Sequence, residues 1–535
     1  MRKWLIILLF LVRANFLWAN FYLVYFKDKS IYAEPKLSAL NLIRHQRQNI
    51  AYDSKDKEVS KEYLFILSKQ KCQIIGNSRW LNAACIEASE QELNAIKALP
   101  FVWKIDAFQS MLAVNLESTE LGPSTLLSSS RQLQMMQLDR LHQMGYTGKG
   151  MHIAVFDNGF TRVDKQGPFQ HLFKEGRIKQ TRNFTDPNRS VYGMGTDGEH
   201  GARVLSVLAA LMPPLFVGSA FDANYFLAVT EDMTREGQLE EWNWLMAAEW
   251  ADSLGTDIIS TSLGYATNFT YGGDHLFEEM DGHTTLISRA ANMAASRGIL
   301  VVNAAGNEGQ NAWRHIIAPA DADSCLSVGS VDAHENYSPF SSQGPNYNKT
   351  TKPDVAAMGG LCMTLLPQGW LKTGNGTSFA CPLVAGFAAC VWQIDPSLGN
   401  MNLFAKIKES GHLAQHPDTF LGWGIPNADS IYYWLKGSHL PQLQNVPNQF
   451  VVYPNPSNGQ FEMSYFNYSP AIQTQISIYN MLGEKIFTNE LLLQNGYAIY
   501  PLNMRDLKPK KGIYFLKIEG INQEIIFENK LVICE

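Results

Sequence analysis

Lys372-Thr373-Gly374-Asn375-Gly376-Thr377-Ser378-Phe379-Ala380-Cys381-Pro382 is the stretch on which the reading of this chain turns. Its small residues open onto an apolar run, residues 383–392, which predicts a helix. A helix start leaves backbone N–H groups without intrahelical partners, aimed at whatever approaches. Gly374 and Gly376 are read as letting the backbone come close to a ligand. The Ser378 hydroxyl, placed there, can attack a carbonyl while N–H dipoles face the oxygen that becomes charged. The competing reading is a plain helix N-cap, a common role for Ser at such a position. Choosing between the two requires a base, an orienting acid and an oxyanion donor elsewhere in the chain.

Candidates for all three stand upstream, each at the end of an element. A short apolar strand, residues 151–156, runs into Asp157-Asn158-Gly159. An acid at the carboxyl edge of a buried strand is a site position in open α/β sheets, the alternative being a turn or capping Asp. His200, in Asp197-Gly198-Glu199-His200-Gly201, opens an apolar helix. It serves as a base if a carboxylate fixes its tautomer, and Asp157 is the candidate; otherwise it caps or packs. The strand 299–302 leads into Asn303-Ala304-Ala305-Gly306-Asn307-Glu308-Gly309. The Asn307 amide can donate to a developing oxyanion, unless Asn was chosen there for a positive-φ turn. Further strands at 225–229, 257–264 (with its edge) and 325–331 alternate with helices at 134–144, 240–253, 284–296 and 402–410. That alternation predicts an α/β domain with a largely parallel sheet and helices on both faces.

These blocks together resemble the subtilisin-like serine endopeptidases (subtilases, peptidase family S8). The matching pieces are Val155-Phe156-Asp157-Asn158-Gly159, His200-Gly201-Ala202-Arg203-Val204, the Asn303 to Gly309 block, and Gly376-Thr377-Ser378-Phe379-Ala380-Cys381-Pro382. Their order is Asp, His, Ser, where an α/β-hydrolase would run Ser, acid, His. The resemblance covers residues 133–436 and implies a subtilisin-like catalytic domain. It implies that Ser378 is the nucleophile, His200 the general base and later the acid, and Asp157 the group that holds His200. Asn307 and the Ser378 N–H would form the oxyanion hole. Ser262-Leu263-Gly264 would pair with an extended peptide and wall the pocket before the scissile bond. Ala202, Arg203 and Phe379 stand where the family usually has other residues, which leaves the proton carriers intact and puts local packing in question. The chemistry requires no cofactor. Many relatives bind structural calcium, but no acidic cluster here is dense enough to claim a metal site. The alternative function is a catalytically silent subtilase scaffold used for surface binding or adhesion; a lipase-like hydrolase is disfavoured by the residue order.

The flanks read separately. Met1-Arg2-Lys3, an apolar run and a small residue near Ala19 make residues 1–20 a secretory signal peptide. Residues 21–110 carry strands at 21–26, 79–88 and 101–105 and a helix at 89–99, with Ser89 and Glu92 spaced as a capping box. This small α+β domain resembles the inhibitor-type propeptide of subtilases, an intramolecular inhibitor that aids folding of a zymogen. Residues 111–132 form a linker with a processing site. A second linker, 437–448, leads to 449–535, where six or seven short strands suggest a small β-sandwich. Tyr453-Pro454-Asn455-Pro456, Tyr479-Asn480-Met481-Leu482-Gly483-Glu484-Lys485, Gly512-Ile513-Tyr514-Phe515-Leu516-Lys517-Ile518 and Lys530-Leu531-Val532-Ile533 resemble the C-terminal sorting domain of the type IX secretion system of Bacteroidetes. That implies export through the periplasm, then release or attachment at the outer surface; the competing reading is a ligand-binding sandwich.

A net charge of −6 with no basic block excludes nucleic acid as a partner class. Seven cysteines in 535 residues are no disulfide scaffold, though an exported chain allows a few pairs to oxidise. The expected partners are polypeptide substrates, the chain's own propeptide and the type IX secretion machinery, with the protease acting as a monomer.

Overall fold

The computed structural model describes residues 20–29, 35, 37–108, 129–193, 198–213, 215–232, 237–267, 269, 274–440, 449–453, 455–467, 471–494, 496–505, 509–520, 522 and 524–534. All of the expected signal peptide but Asn20, most of the 111–132 linker and most of the 437–448 linker lie outside the described residues. The chain forms two compact units, one of Met1–Lys36 with Tyr52–Met111, the other of Leu37–Ala51 with Leu112–Glu535.

The smaller unit begins with β1 (Asn20–Phe26); the next helix, α1 (Ala39–Arg47), belongs to the larger unit. The smaller unit resumes with α2 (Lys61–Ser68), β2 (Gln73–Ser78), β3 (Ala83–Ala88), α3 (Glu90–Lys97) and β4 (Val102–Ala107). Its antiparallel sheet runs β2-β3-β1-β4 and packs Val24, Leu67, Ile86, Ile96 and Phe101 into one core. The Ser89 capping box forms: Ser89 N donates to Glu92 at 2.7 Å and Glu92 N to Ser89 Oγ at 3.4 Å. The strand expected at 79–88 begins only at Ala83. Asn82 takes φ 51° and its amide donates to the carbonyls of Phe26 and Asp28 at 3.0 and 2.9 Å, which makes residues 79–82 a turn.

The larger unit is built on a parallel sheet. Helices α4 (Ser130–Gln134) and α5 (Leu138–Gln143) replace the single helix expected at 134–144, because Gln137 between them adopts φ 58°. There follow β5 (His152–Asp157), α6 (Gln170–Lys174), β6 (Ile178–Asn183), α7 (Glu199–Ala209), a hairpin of β7 (Leu211–Met212) and β8 (Phe216–Val217), and β9 (Asn224–Val229). Next come α8 (Gln238–Leu254), β10 (Ile258–Thr261), α9 (Leu286–Ser296), β11 (Leu300–Ala304), β12 (Cys325–Val331) and β13 (Val355–Met358). A second hairpin, β14 (Cys362–Leu365) with β15 (Leu371–Gly374), precedes α10 (Thr377–Ile394), α11 (Asn400–Glu409) and α12 (Ala428–Lys436). The seven strands run β13-β12-β11-β10-β5-β9-β6, all parallel.

Strands β10 to β13 are buried at every position, as a sheet covered on both faces must be. Leu300, Val302 and Ala304 share one core with α7 and α10, while Phe156 on the opposite face meets Trp244 of α8 edge-on at 5.6 Å. Helix α10 is long and apolar enough to cross a membrane by composition, yet it is buried inside the protein as a core helix.

Beyond the second linker, β16 (Gln449–Tyr453), β17 (Gln460–Asn467) and β20 (Gly496–Asn503) form one antiparallel sheet. β18 (Ile472–Tyr479), β19 (Lys485–Leu493), β21 (Gly512–Gly520) and β22 (Ile525–Ile533) form another. Both contribute to a single core, including Phe461, Ile476, Leu516 and Leu531. All seven cysteines are unbridged, so the pairing that an exported chain allows is not made.

Candidate active site

The carboxyl edge of the parallel sheet gathers the residues that the sequence singled out. Asp157 ends β5 and is wholly buried; His200 is the second residue of α7. His200 Nδ1 donates to Asp157 Oδ1 at 2.8 Å, the direction that an acceptor-only carboxylate dictates. The same oxygen accepts from Asn158 N at 2.8 Å, and Oδ2 is buried with no hydrogen-bond partner among the described residues. Gly201 makes this closeness feasible: a Cβ there would lie 2.1 Å from Gly159 O and 2.8 Å from Asp157 Cβ. Asn158 Oδ1 then accepts from Gly201 N at 3.2 Å, joining the Asp loop to the helix start.

Burial alone would disfavour an imidazolium at His200. The Asp157 charge and hydrogen bond outweigh that cost, and Glu231 adds to them while Arg203 opposes, so His200 is held above the ordinary histidine pKa. Because Nδ1 is engaged, Nε2 lies on the far side of the ring; the His200 side chain is 36% exposed.

Ser378 is the second residue of α10, after Gly376 in an N-cap position that offers no side-chain cap. The N-cap reading of Ser378 therefore fails, since the serine lies inside the helix. Pro382, four residues on, has no N–H to give the Ser378 carbonyl. Ser262 Oγ supplies that bond instead, at 2.8 Å. The strand edge and the serine helix are thereby fastened together. Leu263 is fixed through its carbonyl, which accepts from Asn303 Nδ2 at 2.9 Å, and Gly264 leaves space that Ile317 occupies.

Asn307 is oriented by Thr377, the residue before Ser378. Its Oδ1 accepts from both Thr377 N, at 2.9 Å, and Thr377 Oγ1, at 3.0 Å. A backbone N–H can only donate, so the amide cannot be flipped, and Nδ2 is the end without a partner among the described residues. A Cβ built on Gly376 would sit 2.8 Å from Ser378 Oγ and 3.8 Å from Asn307 Nδ2. Hydroxyl and amide thus border one small space that Gly376, at φ 155°, keeps clear.

The residues that depart from the family pattern fit one another. The Arg203 guanidinium lies 5.0 Å from the Phe379 ring centroid, and its Nε donates to Thr364 Oγ1 at 3.2 Å. A Cβ on Gly374 would strike both, at 2.4 Å from Arg203 and 2.5 Å from Phe379. Gly374, read from sequence as serving a ligand, makes room for this stack instead. Thr377, Asn158 and Gly201 are the site residues to which sequence reasoning gave no role. All three lie inside the quoted motifs, but only the fold reveals what they touch. Among the described residues no three His, Cys, Asp or Glu side chains gather as a metal site.

Comparison with known proteins places these features in a family. Residues 148–424, more than half of the chain, match the subtilase family; residues 21–122 match the peptidase S8 propeptide domain of Bacteroidota; residues 451–534 match the secretion system C-terminal sorting domain. Subtilisin E of Bacillus subtilis (strain 168) is 26% identical over 371 residues, spanning 69% of this chain and 82% of the relative. A subtilisin of Bacillus pumilus is 29% identical over 308 residues, 57% of this chain and 94% of the relative. Among solved structures, a mutant of the epidermin leader peptide processing serine protease from Staphylococcus aureus shares the fold. Its TM-score is 0.53 at 16% identity, and the match covers 78% of this chain and all of that one.

Proposed function

The chain belongs to the subtilase family of serine proteases, with a propeptide before the protease and a sorting domain behind it, and from that premise we propose how it works. It is exported, to be secreted or attached at the cell surface. It is made as a zymogen whose catalytic domain spans 133–436 and whose 111–132 linker is cut during maturation. The sandwich at 449–535 engages the type IX machinery.

An extended peptide adds to the edge Ser262-Leu263-Gly264 and brings its carbonyl to Ser378. Ser378 Oγ attacks while His200 Nε2 takes its proton, and Asp157 holds the imidazole in place and stabilises its charge. The oxyanion receives hydrogen bonds from Asn307 Nδ2 and Ser378 N–H. Collapse expels the amine, protonated by His200, and leaves an acyl-enzyme. A water activated by His200 then releases the acid and restores Ser378. No cofactor enters any step.

The observation that carries this reading is the pairing of His200 Nδ1 with buried Asp157 at 2.8 Å, together with an Asn307 amide whose Nδ2 end borders the Ser378 hydroxyl. The test compares intact mass and peptide-library cleavage for the wild type and Ser378→Ala. The expected result is that the wild type sheds residues up to the 111–132 linker and cuts peptides, while the variant does neither. A folded wild type that stays full length and inert, even after an added protease cuts the linker, sinks the proposal and favours the silent scaffold.

A further inference from the structure

Helix α1 is docked by its polar face. Asn41, Arg44 and His45 are at most 1% exposed, whereas Leu42 and Ile43 are 48% and 55% exposed. A helix held by the hydrophobic effect buries the opposite set. What holds α1 is a series of hydrogen bonds to the ends of other helices, where backbone groups lack partners. At the end of α8, Asn41 Nδ2 donates to Asp252 O at 2.6 Å and Ser38 N to Ser253 O at 3.0 Å. Arg44 pairs with the buried Asp252 carboxylate and donates to Thr256 O at 2.5 Å. Arg47 pairs with Asp257 at 2.5 Å and lies 5.3 Å over the Trp392 ring. Gln48 bridges two more ends: its Nε2 donates to Gly298 O just past α9, at 2.7 Å, and its Oε1 accepts from Asn400 N at the start of α11, at 2.9 Å.

The seat is shaped for this segment. Gly255 and Gly298, with φ of 86° and 84°, end α8 and α9; a Cβ on them would lie 2.4 Å from Leu40 and 2.7 Å from Ile50. The seat also lies away from the catalytic residues. Thr256 and Asp257 precede β10 and Gly298 precedes β11, so they mark the amino edge of the parallel sheet. Asp157 ends its strand and Ser262 and Asn307 follow theirs at the carboxyl edge, and a six-residue strand such as β5 separates the edges by about 20 Å.

We infer that residues 37–51 are a second attachment of the propeptide, independent of the substrate cleft. Both neighbours of this segment in the chain belong to the smaller unit, yet the segment itself is built into the protease. A cut in the 111–132 linker therefore leaves the propeptide fastened to the enzyme at the amino edge of the sheet. Freeing it requires the segment to unseat or the chain to be cut on both sides of it, since β1 before it and the exposed residues 51–54 after it both lead into the smaller unit's sheet. Cuts on both sides leave residues 37–51 on the protease as a bound peptide.

The inference rests on the precursor reading, so the test does not depend on self-processing. A Ser378→Ala chain carrying an inserted cleavage site between residues 111 and 128 is cut by the matching protease, and release of the amino-terminal fragment is timed by size exclusion. The fragment is expected to co-elute with the protease. Arg44→Met/Arg47→Ala is expected to release it about 100-fold faster, since each lost arginine removes an ion pair at a buried carboxylate. Arg47→Ala alone, the milder change at a partly exposed residue, is expected to give about tenfold. Leu42→Ala/Ile43→Ala, on the outer face, is expected to release at the parental rate. Far-UV circular dichroism establishes that each uncut variant is folded. Immediate separation of the parental fragment, or equal release rates for the arginine and outer-face variants, overturns the inference.

Discussion

The two edges of the seven-stranded sheet use the same kinds of residue to opposite ends. At the amino edge, Asp252, Asp257 and the carbonyls of Thr256 and Gly298 are engaged by α1 and Gln48, with His152 holding the second oxygen of Asp257. At the carboxyl edge, Asp157 and Asn307 are each satisfied on one side only, and the other side of the motif, His200 Nε2 or Asn307 Nδ2, is held ready. A polar cluster that holds structure together spends its charged groups on one another. One that performs chemistry leaves a chosen valence open and fixes its direction.

Changes at one edge should therefore spare the other. The largest effect is expected from Ser378→Ala, about 10⁶ in kcat on the scale known for subtilisin, with Tm unchanged in a thermal melt. Next is Arg44→Met, which removes the ion pair at the buried Asp252 carboxylate. It is expected to destabilise the precursor by about 3–5 kcal/mol in denaturant titration while leaving kcat of the mature protease intact. A loss of activity with unchanged stability would erase the contrast. Asn307→Ala follows, with kcat reduced by about 10²–10³ and KM little altered, again on a scale taken from subtilisin.

The smallest effects are in pH. Because His200 is held above the ordinary histidine pKa and must be neutral to act, kcat/KM should fall on the acid side through a midpoint above about 6.5. A midpoint below that value would contradict the Asp157 pairing. His275 differs. Burial opposes its charge, but Glu241 at 2.9 Å and Glu279 at 3.1 Å raise its pKa to about 9. A histidine raised in the folded state stabilises it fully below its unfolded pKa and loses that contribution as pH rises through the folded one. Stability should accordingly decline between about pH 6.5 and 9, and a His275→Gln variant should flatten that decline.

How far the sequence could be read follows the same division. The carboxyl edge was legible because glycine-flanked polar residues at strand ends form short local motifs. Strand β12 begins and ends where the sequence reading sets it, at Cys325 and Val331. The amino edge was not legible. Helix α1 buries Asn41, Arg44 and His45, so the rule that apolar residues mark the buried face points the wrong way. Its partners lie more than 200 positions away in the chain, as with Arg44 and Asp252. The break at Gln137 and the turn at Asn82 are single left-handed residues of types that also occur in helices and strands. Thr377 was in view but mute, because its role is to a residue 70 positions earlier.

The unbridged cysteines set a clock. Cys85, Cys325, Cys362, Cys381 and Cys390 are buried, and burial pushes Cys381 up to about 12 and the other four upward as well. Once folded, these thiols are closed to oxidation even in the periplasm; before that, each has the reactivity of a free thiol, with a pKa of about 8.5. Every moment the exported chain spends unfolded is a chance to form a wrong bridge among seven sulfurs. A parallel sheet of distant strands folds slowly. A propeptide that hastens its assembly therefore protects the chain from its own oxidation, and a delay in folding would be recorded as scrambled disulfides.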